Sequence, residues 1–182
     1  MIQRFVFSGT GGQGVITAAI VLAEAALYYG ELNAVQTQVY GPEARGGAAR
    51  SDVIIADSDI WFPKVLEPNV AICLAQQAYD RFSGVVRPGG IIIVDSHNVR
   101  IHRNISSRQF ELPFHETVMA EFGRSQALNM CMLGALIRLI PIVSPDAMRQ
   151  VISDRFDERF REINLSAFSS GCNLVSESVR TF

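Results

Sequence analysis

The 182 residues predict an α/β protein, a three-layer α/β/α sandwich around a mostly parallel or mixed sheet, with a Rossmann-like first βαβ unit and a helical C-terminal part. Three observations carry that expectation. Short β-branched apolar runs alternate with helical stretches over the first hundred residues. The run at 70–75 is continuously apolar, as a strand buried on both faces requires. Beyond residue 112 the periodicity turns helical and stays so.

The first strand is expected over 2–8. From residue 12 to 29, Ile16, Ala19, Ile20, Ala23, Ala26 and Leu27 recur at helical spacing, and Gly30 supplies the stop. Only Arg4 and Glu24 are charged in the first thirty residues, so this helix should be covered on more than one side. Strands follow at 33–39 and 48–56. Ser58-Asp59 offers a cap for a short helical or irregular piece through Trp61, Phe62 and Leu66. Next come a strand at 70–75, a short helix at 78–82, a turn at Arg87-Pro88-Gly89-Gly90 and a strand at 91–95 ending on Asp95. Residues 96–111 read as polar and irregular. Three helices close the chain: one from about His115, one over 126–139 capped by Ser125 and stopped by Pro141, and one opening on Ser144-Pro145-Asp146. Charges of both signs over 149–162 make a solvated helix face, and the polar tail at 173–182 is expected to be loosely held or docked on a partner. One domain spanning 1–182 fits this length.

Composition narrows the function classes. A net charge of −2 offers no basic footprint for nucleic acid or an anionic membrane surface. Lys64 is the only lysine beside fifteen arginines, which removes most candidates for a Schiff base or a P-loop lysine. Cys73, Cys131 and Cys172 are odd in number and widely spaced, so neither a disulfide framework nor a Cys-x-x-Cys metal site is expected. The apolar stretch 127–143 is broken by Arg138 and Pro141 and reads as a core helix. With no export signal legible at Met1-Ile2-Gln3-Arg4, the expected compartment is the cytoplasm.

Two glycine-rich loops stand out. The first, Gly9-Thr10-Gly11-Gly12-Gln13-Gly14, breaks a strand and opens a helix, a place where free N–H groups and the positive dipole end can hold an anion. It matches G-x-G-x-x-G through Gly9, Gly11 and Gly14, yet the strand at 33–39 ends in Gln36-Thr37-Gln38-Val39-Tyr40 without the acidic residue that a dinucleotide ribose requires. Gln13-Gly14-Val15 also stands where a Walker A loop has Gly-Lys-Ser/Thr. Close helix–strand packing is the alternative use of these glycines. The second loop, Tyr40-Gly41-Pro42-Glu43-Ala44-Arg45-Gly46-Gly47, sets two opposite charges among flexible residues. Arg45 could grip a phosphate or carboxylate and Glu43 could accept from an amine, or the two could simply order the loop.

Other candidates are weaker. Asp95 with His97 could form an acid/base pair or a plain loop contact. The three histidines show no zinc-protease spacing, and no nucleophile elbow is present. Trp61 and Phe62 suggest a core lid or a subunit contact. Asn129 and Asn164 are buried-polar candidates, most simply satisfied by backbone.

The two loops, at this distance and followed by Ser51-Asp52-Val53-Ile54-Ile55, resemble the gamma subunit, or gamma domain, of the 2-oxoacid:ferredoxin oxidoreductases. Arg87-Pro88-Gly89-Gly90, the stretch from Asn129 to Leu136, and Asn164-Leu165-Ser166-Ala167-Phe168 with Gly171 extend the resemblance over nearly the whole chain. It implies oxidative decarboxylation of a 2-oxoacid, with 2-oxoglutarate favoured over pyruvate and branched-chain oxoacids, giving an acyl-CoA and electrons for ferredoxin. It also implies that this chain is non-autonomous. Alpha and beta subunits, and a ferredoxin-like delta subunit in some members, would hold thiamine diphosphate, magnesium and the iron–sulfur clusters. This chain lacks the cysteine spacings for a cluster. Its glycine loops, Gly9 to Gly14 and Tyr40 to Gly47, would help engage coenzyme A at the subunit junction. The small subunit of an indolepyruvate enzyme and a self-contained nucleotide-binding module are the alternatives.

Overall fold

The computed structural model of the chain describes residues 1–40, 48–102 and 104–175. Strand β1 (Ile2–Thr10) sets the layering through its period of two. Phe5 and Phe7 face one side and Val6 the other, each fully buried. The same division recurs in β3 (Ala48–Ala56), where Val53 and Ile55 oppose Ile54, and in β4 (Val70–Cys73) and β5 (Ile91–Asp95). Both faces of the central strands are therefore apolar, and each needs cover.

With β2 (Asn33–Tyr40) and β6 (Arg108–Leu112) at the edges, the strand order is β2-β3-β1-β4-β5-β6. The pairs β1–β4, β4–β5 and β5–β6 are parallel, while β3 runs antiparallel to both β1 and β2. The sheet is thus mixed, with its parallel part the larger. The Rossmann-like first unit takes a particular form: α1 (Val15–Tyr29) carries the chain from β1 to a parallel β2, but β3 occupies the position between them. Strand β3, which follows β2 in sequence, is thereby held on both sides by ladder hydrogen bonds.

One face is covered by α1, α3 (Phe114–Phe122), α4 (Leu128–Leu139), α5 (Pro145–Arg155) and α6 (Glu158–Leu174) around the larger core. On the other face lie α2 (Gln76–Phe82) and the irregular segment 57–69, which contributes Val65 and Ile60 to a smaller core with Tyr79, Phe82 and Val99. Arg50 holds that segment down. It pairs with Asp52 at 2.6 Å, donates to the Val65 carbonyl at 3.2 Å, and lies 4.9 Å from the Phe82 ring centroid.

Helices α4 and α6 cross with their backbones in contact. A Cβ on Gly171 would lie 1.7 Å from the Cys131 carbonyl oxygen, and one on Gly134 would lie 2.0 Å from that of Phe168. Two small residues facing each other thus permit an approach that any larger side chain prevents.

Several expectations need correction. Residues 108–112 form the edge strand β6, because at an edge Arg108 and Glu111 can stay exposed and Gln109 can accept from the buried Tyr79 hydroxyl at 2.8 Å, where a central strand would need apolar residues. Of the helical and irregular alternatives for the piece after Ser58-Asp59, the irregular one is observed over 57–69, so these residues cap no helix. Helix α4 opens at Leu128 with Ala127 as its cap residue, so Ser125 does not cap it, whereas Ser144 does cap α5 by accepting from the Ala147 N–H at 3.1 Å. Four helices follow β6 where three were expected, since the charged stretch breaks at Phe156-Asp157 into α5 and α6. Helix α6 also continues through Asn173 and Leu174, with Val175 buried behind it, so only 176–182 of the expected tail lie outside the described residues.

Candidate functional site

The C-terminal ends of β1, β4 and β5 share one edge of the sheet, the edge where ligands of open α/β folds collect. The first glycine loop leaves β1 there. Gln13 folds back over it: its Oε1 accepts from the Thr10 N–H at 2.7 Å and its Nε2 donates to the Leu74 carbonyl at 2.9 Å. A Cβ on Gly9 would meet that Oε1 at 2.3 Å, so Gly9 leaves room for the staple. Gly14 caps α1 in the left-handed region, at φ 70°, and its carbonyl accepts from the Ala18 N–H at 3.0 Å and from Asn129 Nδ2 at 3.2 Å. Asn129 Oδ1 in turn accepts from the Met130 N–H at 3.0 Å. The loop is therefore fixed to β4 on one side and to α4 on the other.

Gly11 and Gly12 differ from their neighbours. No atom lies within 4 Å of where their Cβ atoms would stand, so they present bare backbone to open space. Packing thus accounts for Gly9 and Gly14, whereas Gly11 and Gly12, for which close packing is the alternative use, form an open face.

Register brings the flanks of the second loop to the same place. Thr10 pairs with Ala48, and Ala49 lies between Gly9 of β1 and Tyr40 of β2. The loop residues, Gly41, Glu43, Arg45, Gly46 and Gly47 among them, lie outside the described residues.

Beside the first loop, a groove of about 510 Å³ runs from Gly14 and Thr17, at the start of α1, between the α3–α4 connection and α6. Arg124 stands at its rim and Phe156, Phe160 and Ile163 form its apolar wall. Asn164 lines it too. That side chain is only 7% exposed and makes no hydrogen bond among the described residues, whereas the equally buried Asn129 is satisfied at both ends. The Asn164 amide atoms are not among the fully buried ones that lack a partner, so they reach solvent through the groove, where water or a ligand can complete them. The unpaired N–H groups of the first turn of α1, the Arg124 guanidinium, an aromatic wall and a waiting amide suit a phosphate ester with an apolar portion.

Sequence reasoning singled out Asn164 but not Thr17, Arg124, Phe156 or Phe160, because the groove walls come from separate helices whose meeting only the packing reveals. Elsewhere, of the two readings open for Asp95 and His97, the structural loop role holds. Asp95 is fully buried and accepts from Asn98 Nδ2 at 2.7 Å and from the His115 N–H at 3.1 Å, so it anchors its own turn and the start of α3. His97 instead pairs with Glu116 at 3.3 Å and stacks on His115, with centroids 4.0 Å apart. Burial pushes the Cys73 and Cys131 thiols up to about 12, which removes both as nucleophiles. Among the described residues, no group of three or more His, Cys, Asp or Glu side chains could hold a metal ion, and no helix is long and apolar enough to cross a membrane.

Comparison with known proteins gives a consistent result. Residues 4–174 match the family described as pyruvate ferredoxin/flavodoxin oxidoreductase. The 2-oxoglutarate synthase subunit KorC of Methanocaldococcus jannaschii is 42% identical over 179 residues, covering 97% of this chain and 96% of that one. The crystal structure of the keto/oxoacid ferredoxin oxidoreductase gamma subunit of Geobacter sulfurreducens superposes with a TM-score of 0.87 at 34% identity, over 96% of both chains. A 2-oxoglutarate:ferredoxin oxidoreductase of Magnetococcus marinus, solved with 2-oxoglutarate, coenzyme A and succinyl-CoA bound, shares the fold. Its TM-score is 0.84 at 24% identity, over 95% of this chain and 31% of that longer one.

Proposed function

The chain belongs to the pyruvate ferredoxin/flavodoxin oxidoreductase family as a gamma-type subunit of a multi-subunit oxidoreductase, and from that premise we propose that it serves the coenzyme A half of the reaction. The 2-oxoacid is 2-oxoglutarate, by likeness to relatives named 2-oxoglutarate synthase subunits at 40–42% identity. Thiamine diphosphate, magnesium and iron–sulfur clusters belong to the alpha, beta and delta partners, and electrons leave for ferredoxin through them.

The amide of Asn164, which reaches solvent only through a groove that opens on the helix start behind the glycine loop, is the observation that carries this reading. Coenzyme A brings phosphates, amides and a ring, and each has a counterpart here. The first turn of α1 and Arg124 offset phosphate charge, Asn164 completes its hydrogen bonding with a ligand amide or ring nitrogen, and Phe156 and Phe160 shield the apolar part from water. Gly11 and Gly12 let a ligand or a neighbouring subunit approach the backbone closely, and the flanks of the second loop, Tyr40 and Ala48, end at the same edge. No residue of this chain is assigned a bond-making role; it positions the thiol carrier for chemistry on a partner.

Expression with its neighbouring subunits tests the reading. The expected outcome is co-purification with a thiamine-diphosphate-bearing partner, activity only in the assembled complex, and a KM for coenzyme A raised about tenfold by Arg124→Gln, as loss of a charge-assisted contact at an exposed rim gives. A lone chain with its own turnover, or an Arg124→Gln complex with an unchanged KM, would contradict it.

A further inference from the structure

At the far end of β1 from the glycine loop, roughly 20 Å away at about 3.3 Å per residue, the molecule carries a second distinctive surface. The segment 57–69 turns Ile60 and Val65 inward, onto the smaller core, and Trp61, Phe62 and Leu66 outward. Trp61, the only tryptophan of the chain, is 88% exposed, Leu66 70% and Phe62 58%. Phe62 and Leu66 flank a cavity of about 670 Å³ at the edge where β1 begins, and its polar lining is Arg4, Lys64, Arg87 and Glu67. Among the described residues none of these three cations takes part in an ion pair.

We propose that this face is the docking surface for another subunit of the same oxidoreductase complex, one that presents an apolar socket for Trp61 and a carboxylate-bearing rim to Arg4, Lys64 and Arg87. The inference rests on the chain's being a subunit, as argued above, and adds where it is held. A large aromatic side chain beside arginine is the usual composition of an interface anchor, and three large apolar side chains left in water on one segment are a cost that burial removes. Charge selects the occupant. With three cations against one carboxylate, a second copy of this chain meeting the patch about a two-fold axis would bring like charges together, whereas an acidic-rimmed partner completes them. The occurrence of the same fold as 31% of a longer oxidoreductase chain accords with a module that packs against further polypeptide. Because this face lies opposite the glycine loops, the chain can be held here while its other edge stays available to the coenzyme.

The test uses the complex obtained by expressing all subunits together. Trp61→Asp and the double variant Lys64→Glu/Arg87→Glu alter residues on the surface, and Tyr28→Asp, on the exposed end of α1, serves as a control. Native mass spectrometry and titration of the subunit complement should show this chain bound roughly 30-fold more weakly in Trp61→Asp, the scale of an interface hot spot. The charge-reversed variant should weaken more at low salt than at high, and Tyr28→Asp should assemble normally. The KM for coenzyme A of the fraction that remains assembled should not change. Assembly of both patch variants within about threefold of wild type would overturn the proposal. So would loss of a dimer of this chain with every other subunit contact intact, which would assign the patch to a second copy. Loss of Trp61→Asp from a complex that proves indifferent to coenzyme A would support the docking face and contradict the coenzyme reading, so the two fail separately.

Discussion

Asn129 and Asn164 look alike in the sequence, each an amide among apolar helix residues, and the fold gives them opposite situations. Asn129 is consumed in holding Gly14 and its own helix start; Asn164, largely covered, turns its amide to solvent in the open groove. The sequence made both legible as buried polar positions, but satisfaction depends on which backbone arrives opposite, and Gly14 is 115 residues away from Asn129. Asp52 is a second case in which surroundings decide. Burial pushes its carboxyl above the ordinary 3.8, and Arg50, hydrogen-bonded and ion-paired to it, offsets only part of that. A carboxyl raised in the folded state favours the protonated form, so its contribution to stability is full below the unfolded value and is lost as pH rises through the folded one. Urea unfolding of Asp52→Asn should therefore show a smaller decline of stability with rising pH just above 3.8 than wild type does, and an unchanged slope would remove Asp52 as its source. Thiol chemistry follows the same logic: Cys73 and Cys131, held up to about 12, should react with a disulfide reagent only on unfolding.

Among the elements, the crossing of α4 and α6 is the tightest contact, with Gly134 and Gly171 facing the opposite backbones. Gly171→Ala forces the helices apart and should cost about 3 kcal/mol, the upper range for overpacking, which lowers the melting temperature by roughly 6–12 °C in a chain of this size. A stability equal to wild type would mean that the helices can separate freely. Elements with a strong period of their own were legible: β1, α1, β3 and β5 lie where alternation and helical spacing put them. Strand β6 was not, because an edge strand carries the same polar residues as a loop and only its pairing with β5 marks it. Helix boundaries near 126–128 and 155–158 were also hidden, since the charged and small residues there permit helix and turn alike.

For the molecule as a whole, the mixed sheet separates two working edges. One gathers the glycine loop, the flanks of the second loop and the groove beside α1; the other carries Trp61 with Arg4, Lys64 and Arg87 nearby. The sequence paired the two loops by their motifs, and the register adds that the flanks of the second loop, Tyr40 and Ala49, stand beside Gly9. The groove could not be read, because the start of α1, the α3–α4 connection and α6 contribute two or three residues each from distant parts of the chain. Asn164→Leu should remove the amide and leave the volume nearly unchanged, so calorimetric titration of coenzyme A into the assembled complex tests the central claim most directly. Binding about tenfold weaker than wild type, with all subunits retained, is the predicted result for one lost hydrogen bond in a buried site. Affinity equal to wild type in a fully assembled Asn164→Leu complex would contradict it.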